Sequence, residues 1–311
     1  MRILIFGKGQ LGNAYQEYFG ALEGWKTSFA EGVDIRNPAA VGEALDREKP
    51  DVALNAAAKT NIDWCEENQL ECFDINTRGA DMAARECQKR GVYLVHISSG
   101  CVQESKTAND VHTEEDAPNP LCFYSWTKVW AENLLMDRLQ GRGIASDIGK
   151  PLRVLILRPR QLLSSKLSPR NALVKMLTYT KFVDTPNSCT VIEDLMRATR
   201  ELVDRGATGI YNVANLGVTT PYEIAGMLRE QIRQEMSFEK ISKEELNRTT
   251  RAKRIDCVLS IKKLELLEIK PPEIHGRLRE VILELKKNLE AGGREVLQAV
   301  EKETKEKLNL K

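Results

Sequence analysis

The sequence predicts an α/β protein, a doubly wound parallel sheet with a smaller second lobe. Three observations predict it. Apolar runs of strand length alternate with helical patterns from residue 2 to residue 157, a glycine-rich turn closes the first run, and the residues suited to chemistry fall where runs end. Strands joined by crossover helices lie parallel and are covered on both faces, so they read as continuous apolar runs.

Taken in order, Arg2–Phe6 reads as a strand and Asn13–Ala21 as the helix that follows it. Lys26–Phe29 and Val52–Asn55 are the next two strands, separated by a helical pattern over Val41–Arg47. Asp74–Arg90 is helical, Tyr93–Ile97 a strand, Ser125–Leu139 helical and Arg153–Leu157 a strand. Ligands of such sheets gather outside the carboxyl ends of the strands, which is where Gly7, Asn55, Ser98 and Arg158 fall. Beyond Pro159 the pattern loosens. Pro169, Pro186, Pro221 and Pro271–Pro272 punctuate short segments, and Ile210–Ala214 reads as one returning strand. The expected organisation is a main domain over 1–160 with a returning strand near 209–214, a mainly substrate-binding lobe over 161–280, and a charged helical tail over 281–311. The charged pattern from Arg277 to Lys311, interrupted at Gly292–Gly293, reads as solvated helix faces.

A chain of 311 residues with 42% hydrophobic residues can fill a sizeable core. Its 46 basic and 45 acidic residues leave a net charge of +1, so no overall field favours nucleic acid or an anionic membrane, and any anionic ligand must be held locally. The seven cysteines, Cys65, Cys72, Cys87, Cys101, Cys122, Cys189 and Cys257, are odd in number and scattered. They show neither a CxxC pair nor a metal-ligand spacing, so no metal is expected and a reducing compartment fits. The N-terminus opens on a strand without a basic leader, and no apolar stretch approaches the ~18 residues of a membrane span. A cytoplasmic location is expected.

Gly7-Lys8-Gly9-Gln10-Leu11-Gly12 closes the first strand and opens a helix. Glycines permit a tight turn and close backbone approach, so a pyrophosphate can sit on the unpaired N–H groups at the positive helix end. A glycine turn alone also serves packing. Its place after the first strand makes 1–160 an NAD(P)-binding domain of the Rossmann kind. NAD calls for an acidic residue ~20 positions on, to hold the ribose, while a basic residue suits the 2′-phosphate of NADP. Glu31 and Asp34 follow the second strand and Lys8 lies in the loop. The signals conflict, so the expected cofactor is NADPH or NADH with a slight lean to NADPH.

Tyr124-Ser125-Trp126-Thr127-Lys128 stands at the start of a helix, where positions four apart share a face. An ammonium near a phenol favours the phenolate and lowers its pKa from roughly 10, which would make Tyr124 a proton donor or acceptor near neutrality. Ser99, at the end of a strand, can hydrogen-bond the same substrate carbonyl.

In this order, the glycine loop, Asn55-Ala56-Ala57-Ala58, Asn76, Ser99, Tyr124 and Lys128 resemble the extended short-chain dehydrogenase/reductases. The resemblance implies that Asn55 to Ala58, Asn76, Tyr124 and Lys128 join the loop in holding the cofactor. One departure is that Lys8 alone separates the first two glycines, where extended members usually have two residues. A narrower resemblance covers roughly residues 1 to 285. Ala56–Glu66, Ser98–Val102, Thr113–Asn119, Ser168–Lys175 and Val183–Thr190 are similar to the nucleotide-rhamnose synthases that combine 3,5-epimerase and 4-reductase, and more distantly to dTDP-4-dehydrorhamnose reductase. It implies that Cys101, two positions after the serine, and Lys175, after the Pro-Arg-Asn block, carry epimerisation. A C4 ketone acidifies the protons at C3 and C5, so one group removes a proton and another returns it from the opposite face. The implied substrate is a nucleotide-linked 4-keto-6-deoxyhexose and the product a nucleotide-activated L-rhamnose.

Arg170, Asn171, Asn187 and Arg254 are candidate substrate-binding residues. Two alternatives stand beside this reading: a 4-reductase alone, and a non-catalytic cofactor-binding regulatory subunit. UDP and dTDP remain equally open, and a homodimer is one assembly open to the chain.

Overall fold

The computed structural model describes residues 1–142 and 151–309. Six strands form the central sheet: β1 (Arg2–Phe6), β2 (Lys26–Phe29), β3 (Val52–Asn55), β4 (Tyr93–Ile97), β5 (Val154–Pro159) and β6 (Gly209–Val213). Every neighbouring pair is parallel, in the order β2-β1-β3-β4-β5-β6. The doubly wound α/β sheet is therefore present, with β6 as its returning edge strand. The chain reverses its winding between β1 and β3, which is where such sheets open a ligand crevice. Pairing sets Phe6 beside Asn55 and Asn55 beside His96, so the loops leaving β1, β3 and β4 emerge level with one another.

Alternation of side chains divides the strands between two layers. Ile3, Ile5, Val52, Leu54, Val95, Leu155 and Leu157 face one apolar cluster, while Leu4, Phe6, Ala53, Leu94, Val154 and Ile156 face the other. Helices cover both faces. Tyr15, on helix Gln10–Gly20, meets Thr199, on helix Ile192–Asp204, through hydroxyls 2.9 Å apart. No described helix is long and apolar enough to cross a membrane.

A third cluster lies in the second half, where Leu173, Val174, Phe182, Ile224 and Leu228 pack with Leu278, Ile282, Leu285 and Val300. The position expected to begin the tail, 281, falls inside a continuous helix, Ile274–Glu290, which buries Leu278, Val281, Ile282 and Leu285. The helix after it, Arg294–Asn309, returns Val300 to the same core, where it is 1% exposed. The segment is thus built into the lobe rather than solvated all round. Its last two positions, 310 and 311, lie outside the described residues.

Candidate active site

β1 ends in a turn that only glycine fits. Gly7 has φ +96°, and a Cβ there would stand 2.6 Å from the Ala57 Cα. A Cβ on Gly12 would stand 1.9 Å from the Gly7 carbonyl oxygen. The first loop and the loop after β3 therefore touch backbone to backbone across the switch point. Gly9 caps helix Gln10–Gly20 without a side-chain hydrogen bond, and no acidic residue occupies the first turn. The N–H groups of that turn, through Gln10 and Leu11, suit a diphosphate. A dinucleotide fits these residues.

Arg170, a candidate substrate-binding residue, lies at this loop. Its Nη1 lies 3.7 Å from where a Gly9 Cβ would be. Beyond β2, Lys8 and Glu31 pair at 2.8 Å, both exposed, and Lys8 lies 5.3 Å over the Phe29 ring. Asp34 is held by Arg36 through contacts of 2.6 to 3.0 Å, which keep its carboxyl below the ordinary range. Asp34 is therefore committed within the chain, and Lys8 with Glu31 remains as the charged pair beside the crevice.

The two asparagines brace the crevice. Asn55 Oδ1 accepts from Ala57 N at 3.1 Å, and its Nδ2 meets His96 Nδ1 at 3.3 Å. Burial pushes the His96 pKa well below 6.5. Asn76, buried, accepts from Lys59 N at 2.8 Å and donates to Lys59 O, Cys72 Sγ and Thr127 Oγ1 at 2.9, 3.4 and 3.1 Å. That amide is engaged inside the protein, tying the loop after Ala58 to the helix that carries Tyr124.

Helix Phe123–Leu139 holds Tyr124 in its first turn and Lys128 one turn later, 7% and 2% exposed. The Ser99 hydroxyl accepts from Cys101 N at 3.2 Å and lies beside Tyr124. Lys128 Nζ donates to Ile97 O at 3.0 Å and lies 5.9 Å from the Tyr124 ring centroid. The expectation that Lys128 makes the phenol acidic is not met. Burial drives the Tyr124 pKa up from 10, the charge of Cys101 adds to that, and the Ser99 hydroxyl only partly opposes it. Lys128 is itself pulled down to about 8 by burial, with Glu132 opposing. Tyr124 thus keeps its proton. Beneath it, Glu132 accepts from buried Arg158 at 2.9 and 2.6 Å and from the Ser98 hydroxyl.

Cys101 sits in the short helical turn Gly100–Val102, where its sulfur accepts from Arg160 Nη1 at 3.2 Å. Arg160 was not singled out in the sequence, although it follows β5 at the edge where the other loops gather. Lys175 is half-buried on helix Ala172–Met176, and among the described residues its side chain has no hydrogen-bond or ion-pair partner. Asn171 is buried, caps that helix through Leu173 N at 2.9 Å, and donates to Ser164 O and Lys166 O at 2.7 Å each. Arg254 pairs with Asp63 at 2.6 Å. Both side chains have internal partners. Asn187 accepts from Arg160 at 2.8 Å and donates to Asp256 at 2.8 Å, so it supports the site from behind.

A model of the RmlD substrate-binding domain matches residues 1–287. The chain belongs to that family. A bifunctional dTDP-4-dehydrorhamnose 3,5-epimerase/reductase of Arabidopsis thaliana is 33% identical over 241 residues, covering 73% of this chain and 76% of its own. A trifunctional relative from the same plant, with a further 4,6-dehydratase, is also 33% identical, and the chain spans about a third of it (34%). Among solved structures, the L780 UDP-rhamnose synthase of Acanthamoeba polyphaga mimivirus superposes with a TM-score of 0.80 at 25% identity, over 91% of this chain and 99% of that one. A dTDP-4-dehydrorhamnose reductase from Clostridium acetobutylicum gives 0.77 at 26% identity, over 91% and 98%.

Proposed function

We propose that the chain is an NAD(P)H-dependent 4-reductase that also inverts C3 and C5, converting a nucleotide-linked 4-keto-6-deoxyhexose into a nucleotide-activated L-rhamnose. The observation that carries this reading is the convergence at the end of β4. The Ser99 hydroxyl lies beside Tyr124, and Cys101 follows two residues later in the same turn. When bound in the crevice, the reduced nicotinamide supplies the hydride that C4 receives. Tyr124 gives its proton to the C4 oxygen, and Ser99 donates a hydrogen bond to the same oxygen. Lys128, fixed against Ile97 O, orients the nicotinamide ribose. Before reduction, Cys101 and Lys175 exchange protons at C3 and C5 from opposite faces, the resulting enolate drawing on the same donors. Lys8 suits the 2′-phosphate of NADPH and Glu31 a free ribose diol, so both cofactors are accommodated.

The test is to incubate the protein with UDP- and dTDP-4-keto-6-deoxyglucose and either reduced cofactor, and identify the sugar by NMR. A rhamnose product is expected with at least one nucleotide. Tyr124→Phe should cut reduction by ~10²–10⁴, and a variant reducing the keto sugar at full speed would refute the assignment. The likeness to the Clostridium reductase favours a second reading, reduction of a sugar inverted elsewhere. Deuterium appearing at C3 and C5 in D2O, and lost in Cys101→Ser, separates the two.

A further inference from the structure

We propose that Arg160 is a positioning residue for Cys101, fixing the sulfur and stabilising it as the anion that removes a proton from the sugar. The inference rests on the bifunctional reading above. Arg160 Nη1 donates to Cys101 Sγ at 3.2 Å, while Nη2 donates to Asn187 Oδ1 at 2.8 Å and to Ile255 O. The backbone is held too, since Arg160 N donates to Thr190 Oγ1 at 2.9 Å. The guanidinium is therefore clamped between the lobe and the turn that carries Cys101. Close approach of that turn depends on Gly100, where a Cβ would lie 2.9 Å from Leu259 Cδ1 and 3.3 Å from Arg160 Cβ.

Two features separate this arrangement from a simple brace. A buried guanidinium whose task is structural should satisfy its donors with oxygen. Here Arg160 Nε is sealed from solvent and has no partner among the described residues, while a neighbouring donor meets sulfur, a weak acceptor as a thiol and a strong one as a thiolate. Arginine also suits the position chemically. It stays charged throughout the working pH range and cannot give up its proton, so it stabilises an anionic sulfur without competing for the substrate's hydrogen.

The step balances within the named groups. The Cys101 thiolate takes the proton from C3 or C5 and becomes a thiol, the electron pair moves into the enolate at C4, and the Lys175 ammonium returns a proton to the opposite face. Exchange with solvent restores both groups.

The experiment uses the full chain. Deuterium incorporation at C3 and C5 is followed in D2O with UDP- or dTDP-4-keto-6-deoxyglucose. In parallel, iodoacetamide labelling of the Cys101 peptide is timed by mass spectrometry. In Arg160→Gln, exchange is expected to fall roughly 10- to 100-fold, less than the ~10²–10⁴ for loss of an acid–base group itself. Reduction of a keto sugar already inverted at C3 and C5 should fall by a smaller factor. Cys101 should also label more slowly, and Arg160→Lys should recover part of both rates. Undiminished exchange in Arg160→Gln overturns the proposal, and so does faster labelling, the signature of mere loosening. If the wild-type protein shows no exchange with either nucleotide, the epimerase reading fails. The labelling rates alone then decide whether Arg160 activates the sulfur.

Discussion

Taking the ammonium of Lys128 out of water lowers its pKa from 10.5 to about 8, against the opposing charge of Glu132 one turn on. In the unfolded chain the same lysine holds its proton up to about 10.5, so between pH 8 and 10.5 the unfolded state binds more protons than the folded one. Stability from this group therefore rises with pH through that window, and below pH 8 the fold carries the full penalty. The gap corresponds to roughly 3 kcal/mol. Lys128→Met lacks the titration, so wild type should gain up to about that much on the variant between pH 8 and 10.5 in denaturant melts. Parallel stability curves would contradict it. Activity should run the other way, with wild-type turnover falling above pH 8 as the cation proposed to orient the ribose is lost. Burial acts on Tyr124 in the same sense as on any phenol, opposing its ionisation, and for a reductase that is useful: the group required at C4 is a proton donor.

At the scale of elements, the glycine turn gives a contrast between neighbours. Gly12 has the Gly7 carbonyl 1.9 Å from its missing Cβ, whereas Gly9 meets nothing closer than the Arg170 guanidinium at 3.7 Å. Gly12→Ala must push the loop away from the helix, so dinucleotide affinity in a fluorescence titration should drop at least tenfold, with a stability loss of about 1–3 kcal/mol. Gly9→Ala should melt within about 0.5 kcal/mol of wild type. Equal melting of the two variants would show that the turn tolerates what its geometry forbids. This turn, β1 to β4 and the Tyr124 helix were legible because each carries a long period or a residue type with a single geometric use. Residues 62–73 were not. Helices Ile62–Glu67 and Gln69–Phe73 are too short to display a 3.6-residue period. The wide helical turn Asp74–Arg78 that follows puts consecutive residues to work on one target. Asn76 donates to the Thr127 hydroxyl and Thr77 to the Thr127 carbonyl, at 3.1 and 2.9 Å. Nothing in the sequence announces that Asn76 is an internal tie, and the same holds for Asn171 and Arg254, whose partners lie in other segments.

For the molecule as a whole, the sheet was readable and the lobe was not, because the lobe's core is assembled from segments over a hundred residues apart. Leu173 and Phe182 reach their neighbours Leu285 and Val300 only after the chain has returned through β6. The charged surface of the last helices masked an inward stripe. The helix Arg294–Asn309 lies beyond the span matched by the family model, yet it is attached at several points. Val300 is 1% exposed, Arg233 pairs with Glu301 at 2.9 Å, and the hydroxyls of Thr178 and Thr304 lie 3.0 Å apart. At the hinge before it, a Cβ on Gly293 would stand 2.4 Å from Leu167 Cδ1. The apolar contacts of Val300, with partly buried Val296 and Leu297 beside it, amount to on the order of 3 kcal/mol, while the polar links add little at the surface. Deleting residues 292–311 should therefore lower Tm by roughly 5–10 °C. The glycine turn and Tyr124 are supported by the two sheet clusters rather than by this one, so reduction at 20 °C should survive the deletion. An unchanged Tm would mean that the helix rests on the lobe without stabilising it. Loss of reduction at a temperature where the truncated chain is folded would instead give the last helix a part in shaping the substrate side of the crevice.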